Sequence, residues 1–225
     1  FDALFPEFLV EDQGLNTLTN PKFDFHNISS NLGVRYSIND NENIYFNYSI
    51  SSRKPNPSEL FSEGLHHSSA RIEVGDLSFN SEVGNNVSLN YSFSNMKSAL
   101  TFSSFYNYVN DFIYIIPVRT TTTIAGVFPV WEYMQADANL YGFDVKYDKQ
   151  YFDNFFIGHQ FSLVKGHERS NDKPLINMPP ANLKNSISYN FTDFNNLNIT
   201  LESEYVFEQN EYPNTNFEIY IPTSE

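Results

Sequence analysis

Apolar and polar side chains alternate with a period of two along most of this chain. Over residues 28–38, Ile28, Leu32, Val34, Tyr36 and Ile38 fall on one face, against Ser29, Asn31, Gly33, Arg35 and Ser37. Ile44, Phe46, Tyr48 and Ile50 repeat the pattern opposite Tyr45, Asn47, Ser49 and Ser51. Val83, Val87, Leu89, Tyr91 and Phe93 alternate with Glu82, Gly84, Asn86, Ser88, Asn90 and Ser92, and Leu100, Phe102, Tyr106 and Tyr108 follow. Tyr141, Phe143, Val145 and Tyr147 come next, then Phe155, Ile157, Phe161 and Leu163, a face that His159 interrupts. Ile187, Tyr189 and Phe191, then Leu197, Ile199, Leu201, Tyr205 and Phe207, complete the series. Strict alternation predicts strands with one greasy and one polar face, and helical spacing is nowhere sustained. About eight strands of roughly 10 to 18 residues are expected, where ~5 to 6 residues is the usual strand length.

The predicted connections alternate in length. Asn39–Asn43 (NDNEN), Ser94–Lys97 (SNMK), Gln150–Asn154 (QYFDN) and Thr192–Asn196 (TDFNN) are short and rich in turn formers. The links at 53–81, 117–130 and 168–182 are long, and the threonines at 120–123 read as the solvated wall of one of them. An up-and-down meander with short turns at one end and long loops at the other is the layout of a transmembrane β-barrel. It is also compatible with a soluble all-β domain that binds a carbohydrate or a protein, because the period alone does not say whether the greasy face meets lipid or a second sheet.

Strand length and polar-face chemistry favour the barrel. A tilted strand crosses a bilayer in ~9 to 11 residues, so longer strands project beyond it. The polar face carries Ser, Asn, Thr, Gly and Glu, and is not rich in the lysines that blunt soluble sheets. Tyr48, Tyr91, Phe93, Tyr147, Phe191 and Phe207 near strand ends suit interfacial girdles. Among 225 residues, 22 Phe and 15 Tyr dominate the apolar share, as β-prone composition requires. The net charge of −14 argues against nucleic acid as a partner. With no cysteine there is neither a disulfide framework nor a thiolate metal site.

The stretch 53–82 carries an ordered set of residues: Arg53, Pro55, Glu59, Leu60, Phe61, Gly64, His66, Glu73, Gly75 and Glu82, with Phe79 between the last two. Tyr133, Gln135, Ala138, Gly142 and Phe143 form a second set. Pro174, Leu175, Met178, Pro179, Pro180, Leu183, Ile187 and Tyr189 form a third. The three together resemble the barrel domain of the TonB-dependent outer-membrane receptor family. The departures are Phe79 in a Leu slot, Asn80 and Ser81 for Lys-Pro, Leu65 for a Pro and Asp144 for a Glu.

The resemblance implies an antiparallel up-and-down transmembrane barrel of about 22 strands with a plugged lumen. Residues 1–225 would form part of its wall, about a third, with the plug and the C-terminal closing strands outside the chain. It implies residence in the bacterial outer membrane, contact with its lipid, and energy from the TonB complex through the plug. The implied cargo is a chelated metal of the siderophore type or a similar scarce nutrient. No bond in the cargo need break, so neither an enzymatic site nor a cofactor is expected.

Within the motif loop, Arg53 and Glu59 are expected to pair and pin it. His66 and His67 beside Glu73 offer imidazole and carboxylate donors that suit zinc or another free divalent metal. Adjacent histidines on extended chain point in opposite directions, so both reach one ion only through a bend. His66, His67, Trp131 and Tyr133 are the candidate ligand contacts; the two aromatics serve equally well to seat the loop on the barrel rim. Glu202 and Glu204 share a strand face and read as lumen lining.

Overall fold

The structure is a computed structural model that describes residues 8–12, 15–19 and 22–213, the first two segments as backbone only. Those two, β1 (Phe8–Asp12) and β2 (Leu15–Thr19), form a separate antiparallel ribbon. The remaining strands belong to one sheet. Its main path, in chain order, is β3 (Ser29–Asn39), β4 (Glu42–Arg53), β7 (Glu82–Ser94), β8 (Ser98–Thr123), β9 (Gly126–Phe152), β10 (Phe155–Glu168), β12 (Asn182–Phe191) and β13 (Leu197–Val206), all antiparallel. Eight consecutive neighbours make a meander that does not close: β3 and β13 are its edges.

The short turns are built as their composition predicts. The Asn39 side chain accepts from the amide of Asn41, and the Asn95 side chain accepts from the amides of Lys97 and Ser98. Asn195 and Asn196 take left-handed φ angles of 55° and 58° in the β12–β13 turn, which Asn tolerates better than most residues. At the opposite end the chain does more than loop. Between β4 and β7 lie a short helix α1 (Pro57–Phe61) and a small hairpin of β5 (Glu63–His66) and β6 (Arg71–Val74). Between β10 and β12 lies β11 (Lys173–Pro174), paired to the end of β10.

One expectation is corrected here. Residues 117–130 are not a long loop: β8 and β9 run 26 and 27 residues and meet in a tight turn, with Gly126 at φ 133°. Val118, Thr120–Thr123, Val127, Phe128 and Val130 are β-formers. Pro117 is absorbed by an irregularity beside it, and Pro129 sits in register opposite Thr120. The hairpin therefore exceeds the 10-to-18-residue expectation. Pairing with β7 ends at Asn110 and pairing with β10 ends at Ala138. Beyond those points the hairpin projects for roughly 40 Å at about 3.3 Å per residue, with β6 paired against β9 along part of it.

The cross-strand register keeps the two faces distinct. Val34, Phe46, Leu89 and Ser104 share one face with Phe143, Phe161, Leu183 and Tyr205. Asn47, Ser88, Lys146, Gln160, Lys184 and Glu204 share the other. The greasy face has no partner layer: Leu32 is 65% exposed and Leu201 70%. Phe46 is also exposed, and Tyr91 and Phe102 are only half-buried, so no second sheet among the described residues clasps them. The soluble all-β alternative requires that clasp and fails on it. Among the described residues the buried apolar side chains (Leu60, Phe79, Val109, Ile113, Val130, Ala138, Leu175 and Ile176) lie toward the long-connection end.

Candidate functional site: a knotted long loop

The loop that follows β4 is organised around one arginine. Arg53 and Glu82 are direct cross-strand partners at the ends of β4 and β7. Nε and Nη2 of Arg53 donate to the two carboxylate oxygens of Glu82 at 2.7 and 2.6 Å. Its Nη1 donates to both oxygens of Glu59 at 3.1 and 3.0 Å. Both carboxylates are buried, and a buried carboxylate requires such a partner. Glu82 also accepts from the amide of Ile113 at 2.7 Å, which ties the knot to the projecting hairpin.

Glu59 does a second job. Asn56 caps α1 by accepting from the Glu59 amide at 2.9 Å, while the Glu59 carboxylate accepts from the Asn56 amide at 2.7 Å. Pro57 opens the helix, where its missing N–H costs nothing. This reciprocal cap makes a five-residue helix persist that is too short to stand alone. The helix presents Leu60, which packs with Phe79 and Ile113; Phe25, Phe61, Leu77 and Tyr133 gather around them.

Two glycines serve this packing. Gly75 passes against α1, where an added Cβ would stand 2.7 Å from the Glu59 carbonyl oxygen. Amides nearby use that proximity: Gly75 donates to the Ser62 carbonyl and Asp76 to the Glu59 carbonyl, at 2.7 and 2.9 Å. Gly64 takes φ 138°, which suits Gly alone at the start of the small hairpin.

The far side of the loop is fastened to β9. β6 pairs in parallel with it, Ile72 opposite Val130 and Val74 opposite Glu132. The Gln135 amide nitrogen donates to the carbonyls of Asn80 and Asp111, both at 2.9 Å, and its oxygen accepts from the Asn80 amide at 3.0 Å. Arg71 bonds Glu73 at 2.7 Å and lies 4.7 Å over the Trp131 ring. The Tyr133 hydroxyl donates to Glu73 at 3.3 Å; burial, reinforced by that carboxylate, holds the phenol above its ordinary range. A second tie joins the hairpin to the end of β10. Tyr114 donates to Glu168 at 3.1 Å, and burial pushes the Tyr114 phenol up to about 12.

The predicted residues sort accordingly. Arg53, Pro55, Glu59, Leu60, Phe61, Glu73 and Gly75 are brought together as framework, and the Arg53–Glu59 pair forms. The third member, Glu82, was visible in the sequence as a motif residue. Its pairing had a signal too: opposite charges at adjoining ends of neighbouring strands.

His66 and His67 lie exposed at the tip of the β5–β6 hairpin. His66 Nδ1 meets the hydroxyls of Ser68 and Ser69, each at 3.1 Å. The metal set of His66, His67 and Glu73 is not gathered. Glu73 is buried and held by Arg71 and Tyr133, and among the described residues no group of three or more His, Cys, Asp or Glu side chains is placed to hold an ion. Of the candidate ligand contacts, Trp131 and Tyr133 are engaged by Arg71 and Glu73, while His66 and His67 remain open to solvent.

The family described as TonB dependent receptor-like, beta-barrel, matches residues 7–223. This chain belongs to the TonB-dependent receptors. Among solved structures, it is similar to the copper transporter OprC at 19% identity and a TM-score of 0.67, covering 82% of this chain and 28% of that one. The siderophore receptor PirA from Pseudomonas aeruginosa follows at 14% and 0.60, covering 78% and 33%. The FrpB iron transporter from Neisseria meningitidis (F3-3 variant) gives 15% and 0.54, covering 79% and 26%. No curated protein matches the sequence. The chain thus spans between about a quarter and a third of these receptors and carries a stretch of receptor barrel wall. The open sheet matches that stretch of wall.

Proposed function

We propose that this chain is wall and outer loop of an outer-membrane receptor that imports a chelated metal of the siderophore type, or a similar scarce nutrient, with energy delivered by the TonB complex through a plug. The observation that carries the reading is the uncovered greasy face of a wall whose other face is hydrophilic. Hydrocarbon satisfies the first and a water-filled lumen the second. The family, and neighbours named for copper, siderophore and iron, support a metal cargo. A chelate is favoured over a free divalent ion because the loop's imidazoles and carboxylate are not assembled as ligands.

In this reading the projecting β8–β9 hairpin and the knotted 54–81 loop form a rigid buttress at the outer mouth. Transport asks this part of the molecule for shape, not for bond chemistry. The test is fractionation and uptake in the parent bacterium. The full-length protein is expected in the outer membrane, and its deletion is expected to abolish TonB-dependent accumulation of a labelled ferric siderophore during iron limitation. A full-length protein found in the soluble fraction overturns the reading. Undiminished uptake of every metal chelate tried overturns the cargo.

A further inference from the structure

The two edges of β10 are paired to different heights. With β9 it stays in register to Glu168, but with β12 it pairs only as far as Ser162, opposite Asn182. β11 pairs only His167 and Glu168, and the amide of Leu175 meets the Gly166 carbonyl at 2.8 Å. The strands part because Pro179 and Pro180 precede β12, and a proline offers no N–H to a ladder. The seam between them holds a cavity of about 170 Å³, bounded by Leu163, Val164, Lys165 and Gly166 on one side and by Met178, Pro179 and Ala181 on the other. Gly166 gives Met178 its place, since an added Cβ would stand 2.7 Å from that sulfur.

The segment that follows β13 turns back across this seam, and its Glu208, Gln209, Asn210 and Glu211 complete the cavity wall. The amide of Phe207 donates to the Ala181 carbonyl at 2.9 Å, and the side-chain nitrogen of Gln209 donates to the Met178 carbonyl at 2.9 Å. Those two carbonyls flank the proline pair. Glu211 then reaches β10, where it bonds Lys165 and stands 3.5 Å from Nε2 of His167. The two ends of the segment are held differently. Phe207 is set edge-on against Phe161, with ring centroids 6.0 Å apart, and so anchors the end beside β13. Farther along, the ties at Gln209 and Glu211 are polar, and none of residues 207–213 is buried. Polar ties of exposed groups exchange readily with water, so a segment fastened this way opens at small cost while the packed end stays in place.

We propose that residues 207–213 are a hinged strap over a side opening in the receptor wall: fastened, it keeps water-soluble molecules out of the seam between β10 and β12, and lifted at Glu211 it lets them in. The test is thiol accessibility in the full-length receptor on intact cells, with heat-modified gel mobility reporting folding. This stretch has no cysteine, so Val164→Cys places a reporter in the seam, with the parent receptor as the blank. A membrane-impermeant maleimide is expected to label it slowly. Adding Gln209→Ala and Glu211→Gln removes one hydrogen bond and one ion pair and is expected to speed labelling about tenfold. Exchanging the charges, Lys165→Glu with Glu211→Lys, is expected to restore slow labelling. Glu204→Gln breaks the Lys184 pair on the hydrophilic face without touching the strap and is expected to change nothing. Ala181→Cys is the second reporter should Val164→Cys fold poorly. Folded receptor labelled at one rate with and without the strap ties overturns the strap, as does equal acceleration by Glu204→Gln or failure of the charge exchange to slow labelling. Protein absent from the outer membrane defeats the proposed function instead, and labelling of the purified receptor then decides the strap.

Discussion

The wall and the loop buttress of this receptor segment are held together by different physics. In the wall, β3 and β13 are exposed along their entire lengths, and neighbouring strands meet through ladder hydrogen bonds and cross-strand side-chain pairs. In the buttress, three carboxylates are buried, one arginine joins two of them, and an apolar cluster forms around Leu60, Phe79 and Ile113. The wall leaves its greasy side uncovered, whereas the buttress buries its own apolar side chains. Alternation is therefore sufficient instruction for the wall, while the buttress needs particular residues at particular places.

That contrast predicts where substitutions will tell. The largest effect is expected from Phe79→Ala, which opens a cavity beside Leu60 and Ile113. It should cost about 3–4 kcal/mol of buttress stability, seen as rapid protease cleavage within 54–81 of the full-length receptor, with heat-modified mobility of the barrel unchanged. Arg53→Met removes the cation that bonds both Glu59 and Glu82 and should cost about 3 kcal/mol, with faster hydrogen exchange at Ile113 and in α1. Equal loosening of the wall in either variant would break the comparison. Gly75→Ala forces a Cβ against the backbone of α1 and should cost about 2 kcal/mol, read by the same protease assay. Leu201→Ala on the greasy face is the control, expected to leave loop cleavage unaltered.

The smallest effect concerns pH. The Lys165 ammonium bonds Glu211 and, with His167 nearby, holds that carboxyl below its ordinary range. A depressed acid contributes stability above its unfolded pKa and loses it as pH falls through the folded value. The segment after β13 should therefore detach from β10 only below the usual carboxylate range. Hydrogen exchange at Glu208–Glu211 across an acid series measures this, and the partial exposure of both side chains keeps the effect small.

What could be read in advance follows the same division. The eight main strands, their faces and the four short turns were legible because each rests on local pattern. The 117–130 segment was misread because Thr and Pro suggested a loop, whereas β-branched residues continued the ladder and a bulge accommodated the proline. Inside 54–81, α1 depends on a cap whose Glu59 is also held by Arg53, and β6 depends on a strand far along the chain. Neither leaves a periodic trace. The Arg53–Glu59 pair was legible as opposite charges within one loop, while Glu82 required knowing that β4 and β7 are neighbours.

The parallel pairing of β6 with β9 has a consequence for the order of events during folding. Glu73 and Tyr133 stand 60 positions apart, and every strand between them must be in register before they can meet. Hairpins closed by two- to five-residue turns zip first, and this clasp shuts last. A chain paused during assembly therefore presents finished ribbons beneath an unfastened crown. Proteases and quality-control factors sampling the newborn receptor will find 54–81 as the last stretch to become inaccessible.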